Sequence, residues 1–163
     1  MVNKFEVKKG EVEEAIKIMK EVACWGRSVG FNVWKDEMLA REELLKHAKE
    51  EEFCVGQVSG NNACCMILQW EDTFFWPKAK MDEAGYIHKL CVRREYAGQG
   101  LVANIVEFAK EECKKKNVKY LRLDTGWKNT KLCNLYKNLG FELVDKFLLD
   151  DGGAFALFEM KIE

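Results

Sequence analysis

At 163 residues and 48% hydrophobic content, the chain can fill one core well and two only sparsely, so a single domain spanning 1–163 is expected. Lysine plus arginine (26) nearly balances aspartate plus glutamate (27), which removes the global positive field that nucleic-acid binding draws on. Charges interrupt every N-terminal window that would otherwise suit a signal peptide or a membrane span, so a cytoplasmic protein without a membrane partner is expected.

Taken in chain order, residues 3–7 read as a short strand. Val12, Ala15, Ile16, Met19, Val22 and Ala23 then recur on one helical face, and Gly26 and Gly30 break that helix. A second helix is expected over 35–49, with Asp36 as its cap. Strands at 52–58 and 63–70 are joined by Ser59-Gly60-Asn61-Asn62, which has hairpin turn chemistry. Residues 71–83 hold the only proline, Pro77, and read as a loop. A strand at 86–92 follows, then a helix on which Val102, Ile105, Val106, Ala109 and Cys113 form a stripe. The Lys114-Lys115-Lys116 run suits the end of that helix, where cations complement the dipole. A buried strand at 118–123, a helix at 129–138 and strands at 141–148 and 154–162 around Asp150-Asp151-Gly152-Gly153 complete a mixed α/β sheet with helices on its faces.

The seven cysteines are odd in number and contain no Cys-x-x-Cys pair, so neither a disulfide framework nor a metal site is expected. Most fall on apolar stripes, where cysteine behaves as a small hydrophobe. Cys64 and Cys65 are adjacent in a strand, which by alternation sends one inward and one outward.

The segment Val92-Arg93-Arg94-Glu95-Tyr96-Ala97-Gly98-Gln99-Gly100-Leu101 leaves a strand and enters a helix. Unpaired N–H groups and the positive end of the helix dipole converge there, and two glycines let an anion approach the backbone. No Gly-Lys-Ser/Thr follows, and no third glycine with a distant acidic residue completes a dinucleotide fingerprint, so nucleoside triphosphates and NAD are disfavoured. Another phosphate-bearing cofactor remains open.

Together with Asn129-Thr130-Lys131-Leu132-Cys133-Asn134-Leu135-Tyr136-Lys137-Asn138-Leu139-Gly140-Phe141, this loop resembles the GNAT superfamily of acyl-CoA-dependent N-acetyltransferases. The specific motifs cover residues 86–141, and the element order is similar over the whole chain. The resemblance implies a mixed, mostly antiparallel sheet of about seven strands flanked by about four helices. It implies acetyl-CoA as cofactor, with the backbone of Ala97, Gly98, Gln99, Gly100, Leu101 and Val102 at the pyrophosphate. It places backbone groups of Leu90, Cys91 and Val92 along the pantetheine arm like an added strand. Asn129 and Leu132 would face the cofactor, and Tyr136 would act as general acid toward the leaving thiolate. The alternative for Tyr136 is a core aromatic with a locally satisfied hydroxyl. Ala97 stands where arginine or glutamine is usual, and Val102 where glycine or alanine is usual. Arg93 or Arg94 is close enough in sequence to supply the missing cation.

On the acceptor side, His88 titrates in a range suited to deprotonating an ammonium; a structural histidine on a sheet surface is the other reading. Tyr86 shares its face by alternation, although the family's bulge in this strand disturbs parity. Trp34, with Trp25 and Phe31, lies where the family places its substrate cover. The expected activity is acetyl transfer to a primary amine of a small molecule or peptide, with a homodimer compatible. A non-catalytic acyl-CoA sensor is the alternative.

Overall fold

The computed structural model describes residues 4–31 and 34–163. They form β1 (Phe5–Lys9), α1 (Val12–Ser28), a 3-10 turn (Asp36–Leu39), α2 (Arg41–Leu44), a second 3-10 turn (Glu50–Glu52), β2 (Phe53–Val58) and β3 (Asn61–Gln69). After these come β4 (Ala84–Val92), a third 3-10 turn (Arg94–Tyr96), α3 (Leu101–Lys116), β5 (Tyr120–Gly126), α4 (Thr130–Asn138), β6 (Glu142–Leu148) and β7 (Ala154–Lys161). The seven strands follow the hydrogen-bonded order β1-β2-β3-β4-β5-β7-β6. The pairs β1–β2, β2–β3, β5–β7 and β6–β7 are antiparallel and β4–β5 is parallel, which is the expected mixed, mostly antiparallel fold. Asn3, expected to open the first strand, lies outside the described residues. None of the described helices is long and apolar enough to cross a membrane.

Contacts divide the chain into two compact units, Met1–Leu68 with Lys89–Phe108, and Gln69–His88 with Ala109–Glu163. In the first unit, α1 buries Val12, Ala15, Ile16, Met19 and Ala23 at helical spacing against Phe53, Val55, Cys65 and Ile67. The β2–β3 hairpin turns at Ser59 (φ 50) and Gly60 (φ 83); two left-handed residues make the turn whose twist matches that of the strands.

The expected helix over 35–49 is instead a 3-10 turn and a single helical turn, separated by extended Ala40 (φ −64, ψ 140). Leu39 and Leu44 both enter the core. Five residues apart on one helix, they would point about 140° apart, so a straight helix could bury only one of them. Arg41 fixes the break by bonding Glu13 at 2.7 Å and Glu50 at 2.9 Å. Cys64 and Cys65 are also both buried, rather than one in and one out. Cys65 Sγ lies 3.6 Å from the Ala15 carbonyl of α1. On the other face, a Cβ placed on Gly56 would fall 2.5 Å from Cys64 Sγ and 2.8 Å from Phe5 Cζ, so β3 is covered on both sides.

In the second unit, Ala84 to Ile87 pair with Tyr120 to Leu123 in parallel register, placing Tyr86 beside Arg122. Arg122 is buried and donates to Glu159 (2.8 Å), Glu83 (3.0 Å) and the Tyr86 hydroxyl (3.0 Å), while its guanidinium stacks on Trp76 at 4.6 Å. Phe75 packs edge-on against Phe147 and Phe155, which ties the 71–83 loop to β6 and β7.

Candidate active site

In the first unit, β4 carries Lys89 at φ 54, a left-handed non-glycine residue that marks a bulge. The register of β4 with β5 runs only over the four residues from Ala84 to Ile87, ahead of the bulge. Leu90, Cys91 and Val92 follow it. The Cys91 thiol is buried 3.6 Å from Cys65 Sγ, so this residue offers a ligand its backbone and not its sulfur. Arg93 anchors the exit of the strand: its amide donates to the Ala63 carbonyl (2.9 Å), and its side chain bonds Glu21 (2.9 Å) and the Asn62 carbonyl (3.0 Å). Arg94 stacks on Trp25 at 3.8 Å. Of the two arginines considered as substitutes for the cation missing at Ala97, Arg93 is therefore committed to a carboxylate and Arg94 to an indole.

Gly98 (φ 79) and Gly100 (φ 73) take the left-handed conformation, which accounts for glycine at both positions. A Cβ on either would meet no atom within 4 Å, so the space beside this backbone is open. The Gly100 carbonyl accepts from Asn104 N–H (3.3 Å), making Gly100 the cap of α3, a cap with no side chain to occupy the first amides. The N–H groups of Leu101, Val102 and Ala103 have no acceptor within the helix. Leu101 is buried and pins the helix start, Val102 is half-buried, and Ala97 and Gln99 are exposed. Open space, amides without an acceptor in the helix and two left-handed glycines fit the pyrophosphate of coenzyme A. Trp34 packs against the core of this unit with Lys89 Nζ 5.4 Å from its ring.

In the second unit, α4 is fixed at both ends by its sequence. Asn129 Oδ1 accepts from Leu132 N–H (3.2 Å) as an N-cap. At the other end, the amides of Gly140 and Phe141 donate to the carbonyls of Lys137 and Tyr136, both at 3.1 Å, with Gly140 at φ 103. Between them Tyr136 is only 6% exposed and packs against Phe141 and Phe158, with ring centroids 5.9 and 6.1 Å away. Leu132 is half-buried on the same helix.

Tyr86, expected toward the acceptor, is 2% exposed with its hydroxyl on Arg122, inside the buried network of this unit. His88 lies two residues further along β4. Its Nε2 is 3.2 Å from Asp72 Oδ2 and its Nδ1 is 3.8 Å from Asp124 Oδ1. Asp72 lies in the 71–83 loop, yet its side chain is 7% exposed and its Oδ1 accepts from the amides of Phe74 (3.1 Å) and Phe75 (3.0 Å). Asp124 belongs to no motif of the sequence. The register Tyr86–Arg122 carries it to the side of His88 by alternation, a signal that only strand pairing reveals.

Burial pushes the thiols of Cys64 and Cys113 up to about 12 and that of Cys65 well above the ordinary range, which leaves none of the three reactive.

Residues 17–141 match the model of the acetyltransferase (GNAT) family. A Bacillus subtilis protein named uncharacterized N-acetyltransferase YesJ is 25% identical over 167 residues, covering 93% of this chain and 86% of its own. A GNAT-family acetyltransferase structure from Listeria monocytogenes superposes with a TM-score of 0.74 at 22% identity, over 96% of this chain and 94% of that one. The PaiA N-acetyltransferase of Thermoplasma acidophilum, solved in complex with coenzyme A, superposes with a TM-score of 0.71 at 18% identity, over 97% and 99%.

Proposed function

The chain belongs to the GNAT family of acetyl-CoA-dependent N-acetyltransferases, and from that premise we propose that its acceptor is a primary amine on a small molecule or a peptide and that residues 1–163 act as one catalytic domain. The observation that carries the reading is the loop of Gly98 and Gly100, open beside its backbone and leading into the start of α3. Backbone N–H groups from Gly98 through Val102 hold the pyrophosphate, while the Ala97 amide is taken by the Arg94 carbonyl (3.1 Å), and the main chain of Leu90, Cys91 and Val92 pairs with the pantetheine arm past the Lys89 bulge. Bound acetyl-CoA supplies the acetyl group as an activated thioester.

Tyr136 donates its phenolic proton to the departing thiolate. Its position on a helix locked at both ends and wedged between Phe141 and Phe158 gives the hydroxyl a fixed direction, which a proton donor requires. Asn129 and Leu132 present the N-terminal part of the same helix to the cofactor. Trp34 borders the acceptor.

The test is a thermal shift with acetyl-CoA, followed by thiol release across a panel of polyamines, amino sugars, amino acids and peptides with free N-termini. Ligand at about 100 times its dissociation constant stabilises by about 2.7 kcal/mol, roughly 5 to 11 °C here. Binding with amine-dependent release of CoA supports the reading. Binding without release on any amine refutes the acceptor assignment and leaves the cofactor intact.

A further inference from the structure

We propose that Asp72, His88 and Asp124 form a binding site for a divalent first-row transition metal ion of the zinc type. The inference is independent of which amine the enzyme acetylates.

One ligand-competent atom from each of the three residues lies within 4.8 Å of the other two. An acidic cluster alone would mean little. Here Asp72 Oδ2 and His88 Nε2 are both buried and both lack a hydrogen-bond partner, although only 3.2 Å separates them. That distance suits an N–H···O bond, so what fails is direction: the carboxylate oxygen lies off the line along which Nε2 would donate. A histidine held by a carboxylate as a proton carrier would show the opposite, an oxygen in the ring plane on the N–H axis. Two lone pairs that stand close without pointing at each other fit a third centre between them. Ligand atoms about 2.0 to 2.1 Å from one ion and 3.2 Å apart subtend roughly 100° at that ion, close to the tetrahedral angle.

The surroundings support the same reading. Asp72 is held by its other oxygen, which accepts two backbone N–H bonds from the turn at Phe74 and Phe75, so Oδ2 is aimed and not mobile. The Asp72 side chain is more than nine-tenths buried and that of Asp124 nearly so. Two carboxylates shielded from water on either side of one imidazole make surroundings in which a dication is held favourably. An imidazole nitrogen with two carboxylate oxygens favours zinc, iron, cobalt or manganese over calcium or magnesium. Three protein ligands leave a coordination position open. Absence of Cys-x-x-Cys pairs is no guide to such a set, because its members come from a loop and two different strands.

This reading and the base reading of His88 exclude each other at Nε2, since one lone pair cannot serve both an ion and a proton. The experiment uses the full chain, purified without a histidine tag and stripped with a chelator, and titrated with Zn2+ and with Co2+. The chain has two histidines, the other being the exposed His47, so imidazole NMR signals are readily resolved. The expected result is saturation at one ion per chain, movement of the His88 resonances with those of His47 unchanged, and a cobalt spectrum of low coordination number. His88→Ala and the near-isosteric Asp72→Asn should each weaken binding by about 100-fold or more, exceeding the effect of losing an outer-shell partner. Unmoved His88 signals at saturating Zn2+ overturn the proposal, and so does equal affinity in the wild type and in folded variants. The NMR readout on the wild type decides the matter if both variants misfold.

Discussion

The amide of Phe141 donates to the carbonyl of Tyr136 across 3.1 Å, so the residue proposed as acid sits on the turn that the Gly-Phe pair closes. Between them Gly140 has φ 103, and a Cβ there would meet only Met160 Cε at 3.6 Å. Space is available, so the cost of a side chain is conformational. Gly140→Ala is expected to lower stability by about 1 to 2 kcal/mol, a fall in Tm of roughly 2 to 8 °C for a chain of this length. Thermal denaturation checks it. An unchanged Tm would show that the helix end is not held by the left-handed residue.

The same motif shows what the sequence could reveal. Asn129, Tyr136, Gly140 and Phe141 are an N-cap, a buried aromatic and a C-terminal closure, all governed by local chain conformation, so spacing alone locates them. The glycines at 98 and 100 are legible for the same reason. The helix expected over 35–49 failed because its local pattern yields to tertiary demand: Leu39 and Leu44 both have to reach the core, and no helical spacing of five residues permits that. Asp72, His88 and Asp124 are scattered over 53 positions and meet through strand register and a loop turn, which no window of sequence displays. Alternation gives Tyr86 the same face as His88, but its partner Arg122 decides its environment.

At the glycine loop, Gly98→Ala and Gly100→Ala each force a side chain into the left-handed region and into the space assigned to the cofactor. Each should raise KM for acetyl-CoA about ten-fold or more, at a stability cost of roughly 1 kcal/mol. Val102→Ala should act in the opposite direction on KM, because it removes a β-branched side chain next to the amides proposed to hold phosphate. Steady-state kinetics with acetyl-CoA as the varied substrate distinguish them. An unchanged KM in both glycine variants would move the pyrophosphate away from this loop.

Acid sensitivity should trace to the network around Arg122. The hydrogen bond from Arg122 holds the Glu83 carboxyl below its ordinary value of 4.5. A carboxylate with a depressed folded value contributes stability that is present above its unfolded value and lost as pH falls through the folded one. Tm should therefore decline on acidification below about pH 4.5, and Glu83→Gln should flatten part of that decline. Arg122→Ala should be much more damaging, by about 3 kcal/mol at neutral pH, since Glu83 and Glu159 would remain partly buried without their counter-ion. If the acid limb of Tm is identical in Glu83→Gln, the pair does not report on folding.

Tyr136→Phe isolates proton donation from packing. Phenylalanine retains the ring that meets Phe141 and Phe158, so the stability change should stay within about 1 kcal/mol, the worth of one hydrogen bond. Loss of a positioned general acid typically lowers the chemical step by about 100-fold or more. The fall should appear in kcat, with KM for acetyl-CoA nearly unchanged, because the contacts proposed for the pyrophosphate and the pantetheine arm lie on other residues. Single-turnover rates are the decisive measurement, since slow product release would hide a change in the chemical step. An equal fall in Tyr136→Phe and Tyr136→Leu, with CoA binding retained, supports the acid. A fall confined to Tyr136→Leu would mean that the ring and not the hydroxyl matters, which makes Tyr136 a core aromatic that shapes α4.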